Sequence, residues 1–257
     1  MDITDKAAIV TGSSSGTGIG SETAKLLAAR GCNVVINYAT NKAGAEDVAA
    51  VCRSNGVDAI AVQADVAKDA DCVRLVAAAV DRFGRLDVLV NNAAVTRPIP
   101  HHEMDKLDAT EFERVFSVNL IGSYQMMRAT AAHLKATGDA AIVNISTVGA
   151  WSGRGSSMAY SASKGALNTL TISMARVLAP QVRVNAICPG TVFGNSWTRK
   201  MLGNEGYEAG LRAAESKYPL RRAIYPKDVA AAVLFLIEGA VAMTGECIRM
   251  DCGQHLL

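Results

Sequence analysis

Short apolar runs rich in β-branched residues alternate, from one end of the chain to the other, with longer stretches in which apolar side chains recur every three to four positions. The runs Ala7–Thr11, Asn33–Asn37, Val57–Gln63, Leu86–Asn91, Ala140–Ile145, Gln181–Ile187 and Glu246–Met250 predict strands. Between them, Ile19–Arg30, Asn41–Ser54, Lys68–Phe83, Thr110–Ala136, Ala159–Leu178 and Lys227–Glu238 predict helices. Strict alternation implies parallel strands joined by right-handed crossovers. Runs such as Ala8-Ile9-Val10 and Val88-Leu89-Val90, apolar at every position, require a sheet covered on both faces. The expected fold is α/β, a three-layer doubly wound parallel sheet of seven strands. With no linker-like or low-complexity stretch and no internal repeat, a single domain over residues 1–257 is expected.

Residues Thr191–Pro219 break the pattern. Gly194, Gly203, Gly206 and Gly210 interrupt them, and Phe193, Trp197, Met201, Leu202 and Tyr207 are scattered through them. Long irregular stretches inside compact domains are usually functional, and exposed aromatic side chains cost solubility unless they cover something. Residues 191–219 are therefore expected to be an irregular substrate lid.

Composition narrows the class. Half of the residues (50%) are hydrophobic and 19% are charged, which supplies a large core and excludes a disordered chain. A net charge of +2, with no basic stripe interleaved with aromatics, argues against nucleic acid as a partner and leaves small molecules. No apolar run reaches the roughly 18 residues that a membrane span needs. Cys32, Cys52, Cys72, Cys188, Cys247 and Cys252 stand singly, without CxxC spacing, and read as reduced core thiols. The opening residues lack the basic start and apolar core of a signal peptide, so a cytoplasmic protein is expected. His101-His102-Glu103 cannot converge on one ion from adjacent positions and reads as a solvated loop, so no metal site is expected.

Candidate chemistry gathers at predicted strand ends. The first strand runs into Thr11-Gly-Ser-Ser-Ser-Gly-Thr-Gly-Ile-Gly20 and then a helix. Glycines there permit a sharp turn and bring a pyrophosphate close to the backbone at a helix N-terminus, where free N–H groups and the macrodipole favour anions. Asp65, Asn91-Asn92-Ala93, Ser146 and Pro189-Gly190 each fall just beyond a strand's carboxyl end, where open α/β sheets bind their ligands. Asn119 lies on the apolar stripe of its helix, seven residues after Phe112. A buried amide must find partners; it either ties the helix to a neighbouring loop or, as preferred here, faces the crevice and holds a water or a lysine. Tyr160 and Lys164 are four apart and share a helix face. A phenol titrates near ~10 in water, and an adjacent ammonium is expected to lower that value and make the pair a workable acid/base.

With Asp65-Val66, Asn91-Asn92-Ala93, Tyr160-Ser-Ala-Ser-Lys164, Arg183-Val184-Asn185 and the ending Thr244-Gly245-Glu-Cys-Ile-Arg-Met-Asp251, these residues resemble the short-chain dehydrogenase/reductase family over essentially the whole chain. The resemblance extends equally to its 3-oxoacyl-carrier-protein reductases and its sugar or polyol dehydrogenases. It implies a Rossmann fold, a nicotinamide cofactor and a catalytic tetrad of Asn119, Ser146, Tyr160 and Lys164. The implied cofactor contacts are Gly12, Ser14, Ser15, Gly16, Gly18, Ile19 and Gly20 in the first turn, Asn37 and Tyr38 at the second strand, Asp65 and Val66 near adenine, Asn92 and Ala93 beside the nicotinamide ribose, Tyr160, Lys164, Pro189, Gly190 and Val192. The glycine spacing admits two registers; counting back from Gly31 favours Gly18, Ile19 and Gly20, with Gly16 secondary. Ala94 replaces a familiar glycine, and Gly194 stands where a threonine often meets the carboxamide.

The expected function is hydride transfer between NAD(P)(H) and a carbonyl or secondary alcohol. Tyr160 donates the proton, Ser146 bonds the substrate oxygen, Lys164 holds the ribose and lowers the Tyr160 pKa, and Asn119 anchors a water leading to Lys164. The alternative is a catalytically silent nucleotide sensor on the same fold. No acidic residue follows the second strand until Glu46, and Asn37, Thr40, Asn41 and Lys42 offer donors, so NADP(H) is expected over NAD(H). Val95–Pro100, Val148–Met158 and the lid are expected to line the substrate pocket. Trp151, Phe193 and Trp197 point to an apolar or ring-bearing substrate, and Arg154 offers a partner for an acidic group. Met126, Met127, Leu167, Leu170, Ile172 and Met174 exceed what one sheet face covers, predicting two-fold pairing that the resemblance extends to a homotetramer.

Overall fold

The computed structural model describes all of residues 1–257. Strand β1 (Ala7–Val10) is buried along its length because both faces are covered: Ala8 and Val10 enter one core and Ile9 the other. The same period of two sends Val34 and Ile36 of β2 (Asn33–Tyr38) into the first core and Val35 into the second. With β3 (Ala59–Gln63), β4 (Val88–Asn91), β5 (Ala140–Ile145), β6 (Val182–Pro189) and β7 (Cys247–Met250) they form one parallel sheet in the order β3-β2-β1-β4-β5-β6-β7.

Along the chain the helices are α1 (Ile19–Ala29), α2 (Lys42–Arg53), α3 (Asp69–Phe83), α4 (Ala109–Phe116), α5 (Ser123–Thr137), α6 (Gly149–Ser152), α7 (Met158–Leu178), α8 (Ser196–Lys217) and α9 (Pro226–Glu238). Leu27 of α1, Val48 of α2 and Val233 of α9 seal the first core; Leu75 of α3, Met127 of α5 and Leu178 of α7 seal the second. Each such side chain contributes roughly 1.5–3 kcal/mol by leaving water. The chain passes from β1 to β2 on one side and later to β4 on the other, so the two connections diverge and leave a crevice at the carboxyl ends of β1 and β4.

Two expectations about elements are corrected. The helix expected over Thr110–Ala136 is interrupted by a π-helical turn, Ser117–Gly122, between α4 and α5. The apolar stripe continues across the turn, which is why the periodicity reads as one helix, and the wider turn places Asn119 against two other segments. The stretch 191–219 is not irregular: α8 fills most of it, capped by Asn195 Oδ1 accepting from Thr198 N at 2.8 Å and kinked at Gly203 (φ 67°). Its other glycines are misleading as loop signals, because at Gly210 a Cβ would meet the Phe193 ring at 3.3 Å. Small size there serves packing. Phe193, Tyr207, Ala214 and Tyr218 make a local core under the helix.

Candidate active site

Between the ends of β1 and β4 opens a crevice of about 1460 Å³ that runs on beneath α8. Single small-ligand pockets span roughly 300–1,000 Å³, so this volume suits a dinucleotide together with a substrate.

The chain leaving β1 builds the nucleotide end. Gly12 has φ 60°, and a Cβ on it would stand 2.8 Å from Ala93 Cα, so only glycine lets the β1 and β4 turns touch. Thr11 laces them together. Its Oγ1 accepts from the N–H groups of Asn92 and Ala93, both at 3.0 Å, while Asn92 Nδ2 donates to the carbonyls of Thr11 and Gly12 at 2.9 Å. Helix α1 then begins at Gly18 with no side-chain cap, leaving first-turn N–H groups and the positive end of the helix dipole beside Ser14, Ser15, Ile19 and Gly20 on the crevice wall. An uncapped N-terminus in this place fits a pyrophosphate. Asp65 and Val66, after β3, wall the same end.

Two expected nucleotide contacts lie elsewhere. Gly16 is off the crevice wall, its carbonyl accepting from Lys25 Nζ at 2.7 Å. Tyr38 follows the alternation of Val34 and Ile36 into the first core, where it is buried. Two of the donors expected for a 2′-phosphate are already used. Asn37 Oδ1 accepts from Gly12 N at 3.1 Å and its Nδ2 donates to Ala64 O at 3.0 Å, while Asn41 caps α2 and donates to Ser14 O at 2.9 Å. The Thr40 hydroxyl on the crevice wall and the exposed Lys42 at the start of α2 remain.

The catalytic end is assembled around the start of α7. Ser157 Oγ caps that helix by accepting from Tyr160 N at 3.2 Å, which sets Tyr160 and Lys164 on its first two turns facing the crevice. Ser146, just past β5, faces the same space, and its Oγ donates to Lys164 O at 3.3 Å. Lys164 Nζ donates to the Ile145 carbonyl at 2.7 Å and lies 6.0 Å from the centre of the Tyr160 ring. The expected lowering of the phenol is absent: burial alone pushes Tyr160 up to about 12, and burial brings Lys164 down to about 8. Desolvation sets the direction at both groups.

Asn119 is also corrected. It is fully buried, and its amide is spent on the alternative role: Oδ1 accepts from Val95 N at 2.8 Å, and Nδ2 donates to Val95 O and to Ser163 Oγ, each at 3.1 Å. Ser163 Oγ in turn donates to Tyr160 O at 2.7 Å, so Asn119 ties the loop after β4 to the turn of α7 that carries the tyrosine.

Pro189, the last residue of β6, and Gly190, Thr191 and Val192 after it form the wall there. Gly194 N donates to Tyr207 Oη at 2.6 Å, which commits it to the small core under α8. Of the aromatics expected to face substrate, Trp151 and Trp197 line the crevice with Met201 and Leu202, whereas Phe193 is buried against Tyr207. Arg154 lines it as expected, and Lys200, Arg249, Gln254, His255 and Leu257 join it unforeseen. The rule that found Ser146, looking just beyond each strand's carboxyl end, applies equally to β7 and points to Gln254 and His255.

A family model described as enoyl-(acyl carrier protein) reductase matches residues 12–255. A Streptomyces violaceoruber protein of the granaticin polyketide synthase, bearing the name of a ketoacyl reductase, is 40% identical over 97% of this chain and 96% of its own. Glucose 1-dehydrogenase 2 of Bacillus subtilis is 34% identical, over 99% of this chain and 96% of that one. A crystal structure from Burkholderia xenovorans, classed as a short-chain dehydrogenase/reductase, superposes with a TM-score of 0.89 at 41% identity and covers 98% of each chain. Likeness of this extent, on a seven-stranded sheet whose switch-point crevice has an uncapped helix at its nucleotide end, places the chain in the short-chain dehydrogenase/reductase family, as an NAD(P)-dependent oxidoreductase.

Proposed function

We propose that the chain interconverts a carbonyl and a secondary alcohol on a small molecule, with Tyr160 as the proton-transfer residue. The observation that carries this reading is convergence: Ser146 from the end of β5, and Tyr160 and Lys164 from the start of α7, wall one crevice with the uncapped start of α1. A bound nicotinamide dinucleotide supplies or accepts the hydride. At neutral pH a phenol near 12 is protonated and an ammonium near 8 is charged, the state required of a proton donor to a carbonyl. In reduction the Tyr160 proton passes to the developing alkoxide, Ser146 bonds that same oxygen, and the Lys164 charge steadies the phenolate left behind. Lys164 is proposed also to hold the ribose hydroxyls. Asn119 acts as a positioning residue through Val95 and Ser163.

NADP(H) is the proposed cofactor. No carboxylate stands at the end of β2 to accept a ribose 2′-hydroxyl and repel a 2′-phosphate, and Thr40 and Lys42 sit at the positive end of α2. Each chain is proposed to act as one domain of a cytoplasmic homotetramer, its α8 segment closing over substrate. No helix is long and apolar enough to cross a membrane. Turnover of a ketone panel with NADPH and NADH, followed at the nicotinamide absorbance, tests the reading. Consumption with at least tenfold higher kcat/KM for NADPH is expected. Equal or better performance with NADH overturns the cofactor choice, and dinucleotide binding without turnover favours the nucleotide sensor.

A further inference from the structure

We propose that the substrate carries an anionic group, a carboxylate or phosphate, on an apolar body, and that Arg154 and Arg249 hold that group at the outer part of the crevice. This rests on the crevice being the site of carbonyl chemistry. The side-chain charge on its wall is one-sided. Beyond Lys164 it presents Arg154, Lys200 and Arg249, whereas the one carboxylate side chain on the wall is Asp65, after β3 at the nucleotide end. None of these three cations joins the ion pairs that neutralise other basic residues; Arg199, next to Lys200, is paired with Glu208, and Arg222 with Asp228. Asp251, two residues from Arg249, is turned away: its oxygens accept from the N–H groups of Gly253 and His255 and contact His255 Nδ1 at 2.8 and 2.9 Å.

The two arginines are placed rather than merely present. The Arg249 guanidinium lies 5.0 Å from the centre of the Trp151 ring, so it rests on an aromatic face on the crevice wall. Arg154 immediately precedes Gly155, whose Cβ position would lie 3.6 Å from Tyr160 Cδ1, and its carbonyl accepts from Ser161 Oγ at 3.1 Å. Its backbone is thus fixed close to the phenol ring, and the residue lines the crevice. Trp151, Trp197, Met201 and Leu202 supply apolar wall to the same crevice. Uncompensated like charges in a shared cleft repel one another, and an anion on the substrate relieves that repulsion while its body covers the indoles.

The chain has two tryptophans, and both line the crevice, so intrinsic fluorescence reports occupancy without any turnover. The full chain, with oxidised dinucleotide present, is titrated with hexanoate, hexyl phosphate and hexanamide. At least one anion is expected to quench with a Kd tenfold or more below that of the amide, and the two anions against each other tell carboxylate from phosphate. Arg154→Ala and Arg249→Ala are each expected to raise that Kd fivefold or more and to leave the amide within twofold. Arg176→Ala, an exposed arginine outside the crevice, is the control for net charge and changes neither. Equal binding of all three probes, or anion binding untouched in both crevice variants, overturns the proposal. Since no chemistry is read, that failure leaves the role of Tyr160 standing, and failure of Tyr160 in turnover leaves this measurement intact.

Discussion

Lys164 is enclosed by protein, bonded to the Ile145 carbonyl and brought down to about 8 by loss of water. Its charge is therefore present below about pH 8 and lost above it, and the phenolate of Tyr160 loses its nearest stabilising cation on the same path. Reductive kcat/KM is expected to hold up to about pH 8 and to fall beyond it, while alcohol oxidation, which needs the phenolate, rises with pH toward the Tyr160 value of about 12. A reductive profile that climbs through pH 8 to 9 contradicts this assignment. The pair itself was legible from its four-residue spacing, but the sign of the tyrosine shift was not, because spacing reports a neighbouring charge and says nothing of burial. Asn119 was legible as a buried amide on an apolar stripe, and which of its two roles it takes depended on the π-helical turn. Phe193 was misplaced for a related reason: its partner Tyr207 lies on a helix whose glycines disguise it.

At the scale of elements, the β1 turn and the start of α1 form one device whose tolerance for side chains varies residue by residue. Gly12→Ala must place a Cβ 2.8 Å from Ala93 Cα at a positive φ, whereas a Cβ at Gly16 meets nothing within 4 Å. Equilibrium titration with dinucleotide is expected to show at least a tenfold loss of affinity for Gly12→Ala and a change within twofold for Gly16→Ala. Equal losses at both positions argue that the turn binds through flexibility rather than shape. The strands were read within about two residues of their ends, most cleanly where the run is buried on both faces, as in β1 and β5. Helix α8 escaped because glycine normally signals a loop, yet Gly210 is small to admit a ring and only Gly203 breaks the helix.

For the molecule as a whole, the residues first chosen as an oligomer surface are mostly interior: Met126, Met127, Leu167 and Met174 are buried within one chain. The large apolar side chains left exposed on α4, the π-helical turn, α5 and α7 are Phe112, Ile121, Tyr124, Ile172 and Val177. Patches of this kind mark association surfaces. Sedimentation is expected to give a tetramer at micromolar concentration and a smaller species for Tyr124→Glu combined with Ile172→Glu; a wild-type monomer contradicts it. The crevice unites residues from the first turn to the last strand, and the strand-end rule foresaw Asp65, Asn92, Ala93, Ser146, Pro189 and Gly190 because the sheet is parallel and all its carboxyl ends share one edge. The most direct test of the account is Tyr160→Phe, which removes one oxygen and keeps the ring. Turnover is expected to fall by roughly a hundredfold to ten-thousandfold, the worth of a positioned proton donor, while dinucleotide affinity measured by titration stays within about twofold. Near-normal turnover in that variant contradicts the account.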